Sequence, residues 1–230
     1  MHGGCRGGLV SGLENRSECR SERFVLVRHT RPAAAATLCY GRTDIALPDG
    51  WQADVAACVA CLPPTRRVYT SPSMRCRLLA REIGRRDGIE VHVDDRLQEL
   101  DFGRWEGRPW DAIPAGEIDA WQDDLLDYAP GGGESLRLLW ARVQRWLEDV
   151  LAPIGERAIV VTHQGPIRAL AAQLCGQPVE RMFTRRVPWG GAIGIGTDTA
   201  AAPRARTPRD RPPRTSVITH ATAPFRGPPR

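Results

Sequence analysis

Two apolar runs in this chain end on histidine. Phe24-Val25-Leu26-Val27 leads into Arg28-His29-Thr30, and Ala158-Ile159-Val160-Val161-Thr162 leads into His163, followed by Gln164-Gly165-Pro166. The chain has five histidines, so two of them stand at these strand ends. Continuous runs of Val, Ile and Leu suit strands buried on both faces, and such strands belong to parallel sheets covered by helices. In open sheets of that kind ligands bind at the carboxyl edge of the strands. Two strand-end histidines with arginines nearby therefore point to a site that attacks and holds a phosphate.

The rest of the chain fits the same plan. Strands are expected at 23–28, 67–70, 90–93, 158–162 and 192–196, all short and rich in Val or Ile. Between them lie helical periods. The stretch 50–61 repeats its apolar residues near 3.6, and 73–86 places Leu78, Leu79 and Ile83 inward with Ser73 as a capping residue. The stretch 134–151 carries Leu136, Leu139, Trp140, Val143, Leu147 and Val150 on one stripe, with Glu134-Ser135 opening the helix. The stretch 165–174 has Pro166 in its first turn and stops at Gly176. Strands alternating with helices predict an α/β fold: a three-layer α/β/α sandwich around a mostly parallel central sheet. The segment 103–133, with Trp105, Trp110, Trp121, Pro109, Pro114 and a glycine triplet, reads as a long irregular insertion over the site.

At 230 residues the chain suits one domain, with length enough to bury a substantial core. The expected organisation is a flexible N-terminal extension at 1–22, a single domain at 23–198, and a disordered Pro/Arg-rich tail at 199–230. No apolar run approaches the roughly 18 residues of a membrane span. The first residues lack the hydrophobic block of a signal peptide. The expected compartment is therefore the cytoplasm, without a membrane partner.

The net charge of +5 is carried by the tail, which from Arg204 onward holds seven arginines against Asp210 and leaves 25 basic and 26 acidic residues before it. Only that tail could offer the basic stripe that nucleic-acid binding needs, and nucleic acid is not expected as a partner. All 32 basic residues are arginine, which excludes lysine Schiff-base, pyridoxal-phosphate and P-loop chemistry. The seven cysteines are odd in number and form no disulfide framework. Cys58 and Cys61 make a lone C-x-x-C without a second pair or a histidine at ligand spacing. Both are expected on a helix, buried or half-buried, rather than as a redox or zinc pair.

Arg28-His29 resembles the signature of the histidine phosphatase superfamily, with its phosphoglycerate-mutase-like fold. Four more segments fall in that superfamily's order: Tyr69-Thr70-Ser71-Pro72 with Arg75, Leu97 to Gly107 around Glu99, Gly132-Gly133-Glu134-Ser135, and Thr162-His163-Gln164-Gly165. Together they cover roughly residues 23 to 197, and five motifs in order are specific where one is not. Many members have Gly-Glu after the Arg-His pair, whereas this chain has Thr30-Arg31-Pro32. That version, followed by Cys39-Tyr40-Gly41-Arg42-Thr43-Asp44, resembles the α-ribazole phosphatase branch, which serves cobalamin synthesis.

The resemblance implies a metal-independent phosphomonoesterase, with no cofactor and a small phosphorylated substrate as its partner. It leaves the oligomeric state open. His29 is the implied nucleophile: a neutral imidazole attacks phosphorus, and neighbouring arginines disfavour the imidazolium form. Arg28 and Arg75 form the phosphate clamp, because a guanidinium matches two phosphate oxygens. The start of the helix after Ser73 adds unpaired N–H groups for an anion. His163 donates to a phosphoryl oxygen. Glu99 is the implied proton donor to the leaving group. That choice is carried over from the family's Leu-x-Glu-x-x-x-Gly pattern, since Asp94, Asp95, Asp101 and Glu106 compete on composition alone. Arg42 and Thr43 resemble the family's substrate-side loop. Arg42 contacts the phosphate or a second anionic group, or is a surface loop arginine. The three tryptophans stack on a base or pack the insertion.

Two other readings stay in view. One is a phosphoglycerate-mutase-like or sugar-phosphate phosphatase of the same superfamily. The other is a catalytically silent relative that binds a phosphorylated ligand or nucleic acid. The second should lack at least one of Arg28, His29, Arg75, Glu99 and His163, and all five are present.

Overall fold

In the computed structural model, residues 23–33, 37–151 and 157–196 are described. The expectations for 1–22 and 199–230 lie outside the described residues. Five strands, β1 (Phe24–Arg28), β2 (Arg67–Thr70), β3 (Val91–Val93), β4 (Ala158–Thr162) and β5 (Ala192–Ile195), form one sheet. Their order is β3-β2-β4-β1-β5. The first four are mutually parallel, and β5 runs antiparallel to β1 at the edge.

Alternation along the strands divides the core into two layers. Phe24, Leu26, Ala158 and Val160 face α4 (Leu136–Leu151) and α5 (Gln164–Leu174), where Leu139, Val143, Trp146, Ile167 and Leu170 meet them. Val25, Val27, Ile159 and Val161 face α1 (Trp51–Ala60) and α2 (Met74–Asp87), against Val55, Val59, Cys76, Leu79 and Ile83. Each such Val, Leu, Ile or Phe side chain is stabilised by about 1.5–3 kcal/mol relative to exposure. Burial on both faces is therefore what makes these strands continuous apolar runs. The architecture is the three-layer α/β/α sandwich expected from the sequence.

The register sets the site. Arg28 lies opposite Thr162, and Thr70 opposite Val161. The backbone ladder continues one step past the strands, with His29 N–H donating to Thr162 C=O at 3.0 Å and Ser71 N–H to Val161 C=O at 3.1 Å. His29, Ser71 and His163 therefore leave three adjacent strands at the same carboxyl edge.

Four local expectations are corrected. The segment 103–133 contains a helix, α3 (Ala115–Asp123), which packs only Ile118 and Trp121, both partly buried, against the core and so offers a pair rather than a stripe to read. Ser73 does not cap α2; the N–H of Met74 donates instead to Asp44 Oδ1 at 2.8 Å, from a loop 30 residues away in sequence. That carboxylate also occupies the helix start where an anionic ligand was expected. Cys58 is buried on α1, but Cys61 falls just past its end and is exposed.

The tryptophans pack the insertion. Trp105 is fully buried and its indole N–H donates to Glu117 at 2.7 Å. Trp105 meets Trp121 edge-on, and Phe102 meets both Trp110 and Trp121. This cluster, with Cys39 and Ile113, pins the insertion to residues 37–39, where Cys39 N–H donates to Arg108 C=O and Gly107 N–H to Cys39 C=O. Ser135 opens α4 as expected, its Oγ accepting from Leu138 N–H at 3.3 Å.

Candidate active site

His29 is almost wholly buried, and its Nδ1 lies 2.7 Å from the Thr30 carbonyl. A carbonyl only accepts, so Nδ1 carries the ring proton and Nε2 keeps its lone pair. Burial, then Arg75 and Arg28, hold the His29 pKa well below 6.5 against the opposing pull of the Thr30 bond. The ring is therefore a neutral imidazole with a bare Nε2, the form that a nucleophile needs.

His163 stands beside it, with ring centroids 5.1 Å apart and planes at 65°. Its Nε2 is 2.8 Å from Ser71 Oγ and its Nδ1 is 3.3 Å from Arg75 Nη2. Burial, then Arg75, His29, Arg28 and Arg142, lower its pKa well below 6.5 as well.

Two arginines flank the histidines, and each is backed by an aromatic ring. Arg28 Nη1 donates to Gln164 Oε1 at 3.2 Å and to Val187 C=O at 2.9 Å, and its guanidinium lies 4.8 Å from the Trp189 ring centroid. Arg75 is 1% exposed. Its Nη1 donates to Thr43 C=O at 2.8 Å, its Nη2 to Gly41 C=O at 2.5 Å, and its guanidinium lies 5.3 Å from the Tyr40 ring centroid. The Nε–H groups of Arg28 and Arg75 and the Thr30 hydroxyl are buried without a protein partner. Buried donors are ordinarily satisfied, so these three groups are left with hydrogen-bonding capacity that no protein atom uses.

The stretch 40–44 is the socket for Arg75. Glu106 fixes it: its carboxylate accepts the backbone N–H groups of Gly41, Arg42 and Thr43, and also that of Phe102. Burial raises the Glu106 pKa, but these hydrogen bonds outweigh it and leave the group below its ordinary value of 4.5. Residue 41 must be glycine, since a Cβ there would lie 1.8 Å from the Leu100 carbonyl oxygen. Thr43 thus gives its carbonyl to Arg75, and its N–H and side chain to Glu106. The Arg42 side chain turns to Asp101 at 3.4 Å and Glu134 at 3.6 Å, partly exposed, with carboxylates as its partners.

Glu99 lies at the start of α5, where its Oε1 and Oε2 accept from Gly165 N–H at 3.0 and 3.3 Å. The competing acids are engaged elsewhere: Glu106 in the loop socket, Asp101 on Gly103 N–H and Arg42, and Asp94 on Arg96. The Glu99 backbone is held by Arg142, whose Nη2 donates to its carbonyl at 3.0 Å while Glu134 grips the same guanidinium through both carboxylate oxygens.

Arg28, His29 and His163 thus share one strand edge, with Arg75 reaching it from the first turn of α2 and Glu99 lying by the start of α5. Sequence reasoning missed Tyr40, Ser71, Glu106, Arg142, Gln164 and Trp189 as parts of the site. Ser71 carried a signal in its strand-end position, whereas Trp189 carried none. Among the described residues, no group of three or more His, Cys, Asp and Glu side chains is placed to hold a metal ion. No described helix is long and apolar enough to cross a membrane.

Comparison with known proteins identifies the family. The family model of the histidine phosphatase superfamily (branch 1) matches residues 24–198. The chain belongs to that superfamily. Among its relatives is the glucosyl-3-phosphoglycerate phosphatase of Mycolicibacterium vanbaalenii, 33% identical over 175 residues that span 70% of this chain and 77% of the relative. A mycobacterial glucosyl-3-phosphoglycerate phosphatase solved with VO3 superimposes with a TM-score of 0.66 at 29% identity, covering 75% of this chain and 91% of that one. The α-ribazole phosphatase of Shigella flexneri gives 0.67 at 24% identity, covering 80% and 99%, a likeness of fold.

Proposed function

We propose that this chain is a metal-independent phosphomonoesterase that works through a phosphohistidine on His29, with α-ribazole 5′-phosphate as its substrate. The observation that carries the reading is His29 itself. Its Nδ1–H is committed to Thr30, which leaves Nε2 with the lone pair, and Arg28, Arg75 and Thr30 each carry a buried donor without a partner.

The chemistry follows in two steps. His29 Nε2 attacks phosphorus and the ester P–O bond breaks, while Glu99 in its acid form gives its proton to the departing oxygen. Arg28, Arg75 and His163 hold the three phosphoryl oxygens as charge develops on them. Glu99, now a carboxylate, takes a proton from water, and that water attacks the phosphohistidine. Inorganic phosphate leaves, and His29 returns to its neutral form.

The α-ribazole assignment is supported by Thr30-x-Pro32 and the 39–44 stretch. A second reading, a glucosyl-3-phosphoglycerate phosphatase, is favoured by the 33% identity to the M. vanbaalenii protein. A panel of α-ribazole 5′-phosphate, glucosyl-3-phosphoglycerate, 3-phosphoglycerate and phosphoserine separates them by kcat/KM. The α-ribazole ester should lead; a lead for the glucosyl ester would transfer the assignment. EDTA should leave every rate unchanged, and a loss of turnover restored by magnesium or zinc would remove the metal-independent mechanism.

A further inference from the structure

The proposed chemistry needs His163 to donate to a phosphoryl oxygen, yet Arg75 holds its Nδ1 as an acceptor. Arg75 Nη2 is 3.3 Å from His163 Nδ1, and a guanidinium has only donors. The ring proton is therefore on Nε2, which faces Ser71 Oγ at 2.8 Å. Ser71 and His163 are both completely buried. Around Ser71 Oγ lie the Ser73 hydroxyl and the Ser73 N–H, each at 3.4 Å, so the hydroxyl can accept from His163 and give its own proton to Ser73. Hydroxyl is also a group that can do the reverse, since it both donates and accepts.

We propose that Ser71 is a positioning residue that sets the tautomer of His163 according to whether the phosphate site is filled. This rests on the phosphatase reading. With Arg75 donating to Nδ1, Ser71 accepts from His163 Nε2–H. When a phosphoryl group arrives, its oxygens take the Arg75 Nη2–H that had been spent on His163 Nδ1. Ser71 then turns its hydroxyl proton onto Nε2, and the ring proton moves by solvent exchange to Nδ1, where it meets the phosphoryl oxygen. The proton count is the same in both states, with one on the ring and one on the hydroxyl.

The surroundings favour this exchange over simple protonation of the ring. Arg75, Arg28 and Arg142, all cationic, disfavour a charged His163, with neutral His29 beside them, while the nearby carboxylates are spent on other donors, Glu99 on Gly165 N–H and Asp44 on Met74 N–H and Arg75. Cys76 Sγ, 3.5 Å from Nε2 and 3.9 Å from Nδ1, is the remaining polar neighbour. Burial pushes that thiol up, so it stays protonated and supplies no anion. The backbone holds Ser71 in place, with its N–H on Val161 and Pro72 following it.

The test is 15N NMR of the histidine rings in the full chain, titrated with orthovanadate, with His163 assigned through a His163→Gln variant. The unliganded protein should show His163 as the neutral Nε2–H tautomer, and the vanadate complex should show the neutral Nδ1–H tautomer. Ser71→Ala should weaken vanadate binding and slow phosphorylation of His29 by about tenfold to a hundredfold, the scale of one lost buried hydrogen bond. Its His29 ring should stay unchanged, and Ser71→Thr should restore most of the loss. A His163 that keeps its Nε2 proton under vanadate, or becomes doubly protonated, overturns the proposal, as does Ser71→Ala binding vanadate like the wild type. Should Ser71→Ala not fold, the wild-type spectra decide alone. If vanadate fails to perturb even His29, the phosphatase reading itself falls, and the proposal falls with it.

Discussion

Gly165 offers its backbone N–H to both oxygens of Glu99, and it does so at a distance that only glycine permits. A Cβ on residue 165 would lie 2.3 Å from Glu99 Oε1. The glycine two residues after His163 is thus a space requirement set by an acid 66 positions earlier. Gly165→Ala should push the Glu99 carboxylate aside without touching the phosphate clamp. Misplacement of a reacting group by about 1 Å costs roughly 10²-fold, so turnover of an alkyl phosphate should fall on that scale while vanadate affinity holds. Steady-state kinetics alongside a vanadate titration check this, and equal losses in both would place the effect elsewhere.

Glu99→Gln separates acid chemistry from shape. Gln can still accept from Gly165 N–H, but it has no proton to release to a leaving oxygen. Turnover of an alkyl phosphate should drop by about 10² to 10⁴. The burst of nitrophenolate from an aryl phosphate should suffer less, because that leaving group needs little protonation. If the burst and the alkyl turnover fall together, Glu99 is not the acid.

Two buried histidines give the fold a pH signature. Both His29 and His163 have folded-state pKa values well below 6.5, with burial as the leading cause. Below 6.5 the unfolded chain binds protons that the folded chain refuses, so stability is fully present above 6.5 and is lost as the pH falls. Denaturant midpoints measured from pH 8 to pH 5 should decline through this range. Replacing either histidine with Gln should flatten the decline, and stability that rises on acidification through 6.5 contradicts the assignment. The acid limb of kcat/KM should likewise lie below 6.5.

Glu106 should matter through Arg75, although the two side chains do not touch. Its carboxylate organises Gly41 and Thr43, whose carbonyls hold the guanidinium. Glu106→Gln puts an NH2 among N–H donors, so vanadate affinity should weaken by about tenfold or more, on the scale of a displaced buried hydrogen bond. Isothermal titration reads this directly. Unchanged affinity would show that the loop keeps its shape without the carboxylate.

Trp189→Ala removes the ring behind Arg28, with Arg31 5.5 Å from the same centroid. A cation–π contact contributes about 0.5–2 kcal/mol, so phosphate inhibition should weaken by about 2-fold to 30-fold with the fold intact. A variant with wild-type inhibition would leave the ring a packing role only.

The legibility of this molecule in its sequence follows burial. β1 and β4 were readable because both their faces are covered, which forces apolar residues at every position. α3 was not readable, because its two partly buried apolar residues, Ile118 and Trp121, are too few to make a period. The cap of α2 was misread for a related reason: Ser73 is a good local capping residue, but Asp44 arrives from a distant loop that no local pattern reports. Arg28, His29 and His163 announced themselves as strand-end residues. Glu99 did not stand out from four neighbouring acids, and only folding shows that Asp94, Asp101 and Glu106 have other partners. Trp189 and Arg142 support the site from segments whose local sequence says nothing about it.

The central claim is that His29 becomes covalently phosphorylated. Wild-type protein and His29→Ala should be mixed with substrate carrying labelled phosphate and quenched within milliseconds at alkaline pH, where phosphohistidine survives. Peptides should then be mapped. Label on the peptide containing His29 in the wild type, none in His29→Ala, and loss of hydrolysis in that variant are the predicted results. Label on another residue, or His29→Ala turning over substrate at more than a trace of the wild-type rate, would contradict the account.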